Sequence, residues 1–326
     1  MTSFRGARAS ASRSGRGRPS RGAVAQATLV DVPDSASQTQ PEPANSLIKV
    51  SSAKIGLSTS SVYPETTSSA FELARGLGYD GVELMVGIDP VAADIDAVEK
   101  LRDYHGVPVL SVHSACLLIT QRVWGTDPWA KLERSAEAAV RLDAPVVVVH
   151  PPFRWQRDYG KNFIEGIKRL NETTGVTFCV ENMYPWRTPG GELKAYVPGW
   201  DPTERDYSDL TLDFSHASTA NQQSLDLAKA WGSRLRHIHL TDGHGSMKDE
   251  HLVPGRGDQR AGEVLGYLAA NDFDGHVVLE VNSRKSESRA QREADLAESL
   301  AFARLHLAAP VHASYAVDGH GVTSAV

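Results

Sequence analysis

Six residues of metal-ligand type close successive apolar runs. They are His113 in VLSVHSA, His150 in VVVVHPP, Glu181 in TFCVENM, Asp213 in LTLDFSH, His239 in LRHIHLTD and Glu280 in HVVLEVN. The gaps between them are 37, 31, 32, 26 and 41 residues. A strand with its crossover helix in a closed eight-fold α/β barrel takes about 30 residues. The spacing therefore sets one such side chain at the end of each of six successive strands, building one wall of one pocket. Glu181, Asp213, His239 and Glu280 form an O/O/O/N set that suits Mn²⁺, Mg²⁺, Co²⁺ or Zn²⁺. A cation there polarises the oxygens of a bound polyol or keto-sugar. Two glutamates flanking such a substrate can take a proton from one face and return it to the other, as epimerisation requires. One of these carboxylates alone would pass for a helix cap or a surface group. Three of them with an imidazole, at four successive strand ends, do not.

Shorter patterns lie beside these. Asp213 and His216 form D-x-x-H, His239 and Asp242 form H-x-x-D, and Asp249 and His251 form D-x-H in KDEHLVPGRG. At a strand end, the second member of such a pair falls in the following loop. There it can bind metal, fix a neighbour's tautomer or contact substrate. His113 and His150 are further candidates for metal or substrate, although a lone histidine at a strand end is often only a hydrogen-bonded pocket residue.

The elements that must hold these side chains alternate. Strands are expected at 54–60, 81–85, 108–114, 145–151, 177–182, 211–216, 236–242 and 276–282. Helices are expected at 65–77, 92–105, 127–143, 161–173, 223–233, 261–271 and 287–306. Leu132, Ala136, Ala139 and Val140 recur at helical spacing on one face, and the all-apolar run 145–149 suits a parallel strand buried on both sides. The fifth helix is hard to place between 183 and 208, a segment rich in Pro, Gly and aromatics. The reading is one (β/α)8 barrel over residues 47–307. An open doubly wound sheet would gather its ligands at one switch point instead, and no GxGxxG follows the first strand.

The chain has 326 residues, 41% hydrophobic and 23% charged, an ordinary globular composition. Residues 1–46, rich in Arg, Ser, Gly and Pro, read as a disordered tail; an organellar transit peptide fits less well, because no apolar face is present. Residues 308–326 read as a flexible C-terminal tail. Six arginines precede the first acidic residue, Asp31, so with a net charge of −6 the rest of the chain carries −12. A body that acidic repels phosphate backbones and makes nucleic acid an unlikely partner. No apolar stretch is long enough for a membrane span. Two cysteines without CxxC spacing fit a reducing, cytoplasmic setting, and Cys179 reads as a buried small hydrophobe.

The motifs VEN (180–182), LDFSHA (212–217), HIHLTD (237–242), HLVPGRG (251–257) and LEV (279–281) resemble the xylose isomerase-like TIM barrel superfamily over about residues 52–306. That group includes sugar phosphate isomerases/epimerases, ketose 3-epimerases, inosose-type dehydratases and endonuclease IV. The resemblance implies an isomerase or epimerase of a small sugar, polyol or sugar phosphate. Glu181, Asp213, His239 and Glu280 would hold the metal, the two glutamates would be acid and base, and His216 would contact substrate. Glu83 and Arg256 are looser matches to further substrate contacts, and such barrels often form homodimers. The endonuclease IV branch implies the alternative, a zinc phosphodiesterase acting at abasic DNA. Its nine ligand types are all present, as His113, His150, Glu181, Asp213, His216, His239, Asp249, His251 and Glu280. The loop 183–208, with Tyr184, Trp186, Arg187, Tyr196 and Trp200, is expected to be a lid or sugar-stacking surface. The plainer reading is a loop packing its own aromatics.

Overall fold

The computed structural model describes residues 48–188 and 190–310. Eight parallel strands close a barrel: β1 (Lys54–Ser58), β2 (Gly81–Met85), β3 (Val109–His113), β4 (Val146–Val149), β5 (Thr177–Glu181), β6 (Leu210–Asp213), β7 (Leu235–Leu240) and β8 (His276–Leu279), with β8 paired to β1. Outside them run α1 (Thr67–Leu77), α2 (Ile95–His105), α3 (Pro128–Arg141), α4 (Phe163–Thr174), α5 (Phe214–Thr219), α6 (Ser224–Trp231), α7 (Ala261–Ala270) and α8 (Arg289–His306). Local chemistry sets their ends. The Asp127 carboxylate accepts from the Trp129 and Ala130 amides to open α3, with Pro128 in its first turn. Gly78, at φ +86°, closes α1 in the left-handed region that a side chain disfavours.

Two departures from the sequence expectation stand out. Among the described residues, no helix joins β5 to β6. The fifth unit instead carries a short antiparallel hairpin, Trp186–Thr188 with Gly191–Leu193, because Pro185, Pro198, Gly190, Gly191 and Gly199 interrupt any helical run. Ala308–Pro310, expected in the loose C-terminal tail, pairs antiparallel with Ile48–Val50. The rest of the two expected tails lies outside the described residues.

Successive side chains of a strand point to opposite faces, and this sorts the barrel. Leu57, Val82, Leu84, Val112, Val147, Val149, Phe178, Val180, Leu212, Ile238, Leu240, Val277 and Leu279 join the large core shared with the helices. The other parity faces inward. Val146, Val148 and Cys179 form a small separate cluster. Many further inward positions are polar: Glu83, Ser111, His113, Glu181, Thr211, Asp213, His237 and His239, all fully buried or nearly so. Barrel interiors are usually packed with branched aliphatic residues, so much of this interior is given over to polar chemistry.

Candidate metal centre

Strand register brings the inward residues level. Asp213 on β6 sits opposite His239 on β7, and Glu181 on β5 opposite Thr211 on β6. Glu280 follows β8 directly. The four groups converge on one nitrogen. His239 Nδ1 lies 3.1 Å from Glu181 Oε1, 2.9 Å from Glu280 Oε2 and 3.6 Å from Asp213 Oδ2. One ligand atom from each of the four residues fits within 4.8 Å of the others.

Two further groups flank this one. On the β3–β4 side, His150 Nε2 and His113 Nε2 approach the other oxygen of Glu181, Oε2, at 2.9 and 3.4 Å. His113 Nδ1 is 3.1 Å from the Ser114 carbonyl; donating there leaves Nε2 with its lone pair toward the centre. On the β6–β7 side, His216 Nε2 and His251 Nε2 meet Asp249 Oδ2 at 3.3 and 3.0 Å. Their Nδ1 atoms lie 2.8 and 2.7 Å from the carbonyls of Asn182 and Glu280, which fixes the same tautomer in both. His251 holds a left-handed backbone, φ +46°, an uncommon conformation kept where surrounding contacts enforce it. Those contacts are visible. Ser215 Oγ donates to Asp249 at 2.7 Å and accepts from the Glu250 and His251 amides. Asp242 accepts from the amides of Gly243, Gly255 and Gln259, bracing the loop from within. The H-x-x-D aspartate is thus a loop brace.

Beneath the centre, Glu83 meets His239 Nε2 at 3.1 Å and also takes His237 Nε2 at 2.9 Å and Ser111 Oγ at 2.8 Å. It is fully buried. The expectation of a substrate contact is corrected: Glu83 stands behind a ligand-type imidazole, because β2 places it one layer below the rim. Arg256 is corrected too. Its guanidinium is held by Asp295 and Glu298 of α8, away from the cluster. Trp186 packs in a separate aromatic group with Phe153, Trp155, Tyr196 and Trp200. The aromatic ring that does reach the centre is Tyr184, 5.1 Å from the His216 ring. Cys116, 4.0 Å from His113 Nδ1, also borders the centre. Its position in the loop after β3 carried no signal in the sequence.

The electrostatics fit a cation. Burial pushes the Glu181 carboxyl up, but His239, His150 and His113 outweigh it and hold the group well below the usual carboxylate range. Glu280 and Asp249 are lowered in the same way, against the cost of burial, by His239 and by His251 with His216 respectively. In return, burial lowers His239 while Glu83, Glu280 and Glu181 raise it well above an ordinary imidazole. His150 and His251 rise to about 9 and about 10 despite burial, the first through the Cys116 sulfur and Glu181, the second chiefly through Asp249. Protons thus gather where buried carboxylates need positive charge. Glu181 Oε2, Asp213 Oδ2 and Glu280 Oε2 are buried, and the imidazole nitrogens 2.9–3.6 Å from them do not meet them with hydrogen-bond geometry; buried carboxylate oxygens facing ring nitrogens in this way suit a shared cation. Carboxylate and imidazole donors at these spacings suit a hard or borderline divalent ion.

The family model described as xylose isomerase-like TIM barrel matches residues 71–306. The chain belongs to that family. A protein of Mycobacterium tuberculosis is 50% identical over 273 residues, covering 78% of this chain and 98% of the relative. Among solved structures, a D-tagatose 3-epimerase-like protein superposes with a TM-score of 0.57 at 23% identity, over 77% of this chain and 98% of that one. The 3-keto-D-glucoside 4-epimerase of E. coli gives 0.55 at 21%, over 78% and 99%. At these identities the structural likeness is one of fold. Among the described residues, no helix is long and apolar enough to cross a membrane.

Proposed function

We propose that this chain is a divalent-metal-dependent isomerase or epimerase acting on a small sugar, polyol or sugar phosphate. The observation that carries the proposal is the meeting of Glu181 and Glu280 on the same nitrogen of His239, at 3.1 and 2.9 Å. These three and Asp213 would hold a divalent cation, which would supply polarisation of adjacent hydroxyl and carbonyl oxygens. The chain's own groups do the proton work. Glu280, with its side chain 12% exposed, opens to the cavity and is aimed by Ser60 Oγ, 3.3 Å from its Oε1. One glutamate removes the proton beside the carbonyl and the other returns it on the opposite face. Return to the same face at the neighbouring carbon gives isomerisation, and loss of a hydroxyl gives dehydration. His216 and Tyr184 border the remaining side of the bound sugar. The test is exchange of solvent deuterium into ketoses by the metal-loaded protein. Incorporation beside the carbonyl, lost in Glu181→Gln and Glu280→Gln proteins that keep their fold, supports the reading. Wild-type levels of exchange in both variants would end it.

A second reading, zinc-dependent phosphodiester hydrolysis, draws on one specific observation. The flanking groups His113–His150–Glu181 and His216–Asp249–His251 each present imidazole Nε2 atoms to a carboxylate, beside the central set. All nine of these residues therefore gather at one rim, enough for three ions. Elemental analysis separates the readings: about one metal per chain favours the sugar enzyme, and about three zinc ions favour the hydrolase.

A further inference from the structure

A cavity of about 500 Å³ opens beside Glu280 and His251. Tyr63, Met85, Ile88, Leu117, Ile119 and Val281 give its wall a large apolar share. Tyr63, Ile88 and Ile119 come from the loops after β1, β2 and β3 and are 48%, 66% and 70% exposed. Three large apolar side chains grouped at the lip of a candidate centre mark a surface that binds something. The polar groups on this wall are largely engaged. Glu65 holds Arg292 and Arg289, and Asp89 accepts from the Thr67 amide, the Thr67 hydroxyl and the Val91 amide. Arg284 is the one Lys or Arg on this wall among the described residues, and it lies over the Tyr63 ring at 5.4 Å.

A phosphate is normally gripped by several charge-assisted donors, and this wall offers one guanidinium at its lip. The volume falls in the range of roughly 300–1,000 Å³ typical of sites for ligands with a substantial apolar part. We propose that the substrate is a sugar derivative that keeps a carbonyl and carries an uncharged aryl or alkyl substituent, for which simple glycosides serve as binding probes. Its sugar faces Glu280, and its substituent lies against Tyr63, Ile88 and Ile119. This rests on the sugar reading above and sharpens its substrate class.

The test is isothermal titration of the full-length, Mn²⁺-loaded protein with phenyl and methyl glucosides, the matching galactosides and glucose 6-phosphate. Ile88→Ser and Ile119→Ser change exposed side chains, so the fold persists. The expected result is that a phenyl glycoside binds about tenfold tighter than its methyl counterpart, and that each serine variant removes this preference while leaving the methyl glycoside unchanged. Metal-dependent binding with equal affinity for phenyl and methyl forms overturns this inference and leaves the sugar reading standing. Tightest binding of glucose 6-phosphate, lost in Arg284→Ala, also overturns it. So does a dimer that the serine variants dissociate without any glycoside preference. If no sugar binds in a metal-dependent way, the sugar reading falls and takes this inference with it.

Discussion

A carboxylate oxygen of Glu83 lies 3.1 Å from His239 Nε2, on the opposite side of the imidazole from Glu181 and Glu280. The ring is thus held between one carboxylate from the barrel interior and two at the rim. A partner on the far nitrogen fixes the tautomer of a ligating histidine and strengthens it as a donor. Replacing Glu83 by Gln is therefore expected to weaken metal binding roughly 10- to 100-fold with the fold retained. Chelator competition measures this. Unchanged affinity would mean that the contact does nothing for the centre.

Metal loading is coupled to protons. His150 and His251 are raised to about 9 and about 10, so both carry a proton at neutral pH when no cation is bound. A cation on Glu181, Asp213, His239 and Glu280 needs His239 neutral and offsets the carboxylate charge that holds protons on the neighbouring His150 and His251. Binding therefore releases protons, and apparent affinity falls as pH falls. Calorimetry in buffers of different ionisation enthalpy reads the proton release directly, and a value of zero at neutral pH would contradict the electrostatics.

The same shifts bear on stability without metal. A histidine raised in the folded state binds its proton more tightly there than when unfolded, where its value is about 6.5. Its contribution is fully present below about 6.5 and is lost as pH rises through the folded values. The melting temperature of chelator-treated protein should fall between about pH 6.5 and about pH 10, more steeply than that of the loaded protein. Parallel curves would show that these imidazoles gain nothing from their neighbours on folding.

Gly81 begins β2, two residues before Glu83. A Cβ there would sit 2.6 Å from Leu110 Cγ and 2.7 Å from the Pro108 carbonyl oxygen. Gly81→Ala should cost about 1–3 kcal/mol, as overpacking does, in chemical denaturation. A loss below about 0.5 kcal/mol would mean that β3 shifts freely.

Much of this centre was legible because inward strand residues recur at period two and barrel units recur at about 30 residues. That arithmetic put Glu181, Asp213, His239 and Glu280 on one rim, and the strands expected at 81–85 and 177–182 match β2 and β5 almost residue for residue. Contacts depending on depth or on loop paths were not legible. Glu83 lies on a strand of the right kind but below the rim, where it meets His239 and His237. Arg256 lies in a glycine-rich turn whose direction the sequence does not fix, and it pairs with α8. The aromatic loop after β5 was recognisable by composition, but only its folded path shows Trp186 turned into its own cluster and Tyr184 turned toward His216.

The central claim is that Glu181, Asp213, His239 and Glu280 share one cation. Anomalous diffraction from crystals grown with Mn²⁺ tests it most directly. A single strong peak bonded to all four side chains is the expected result. Manganese bound elsewhere, with these four side chains holding only water, would contradict the account.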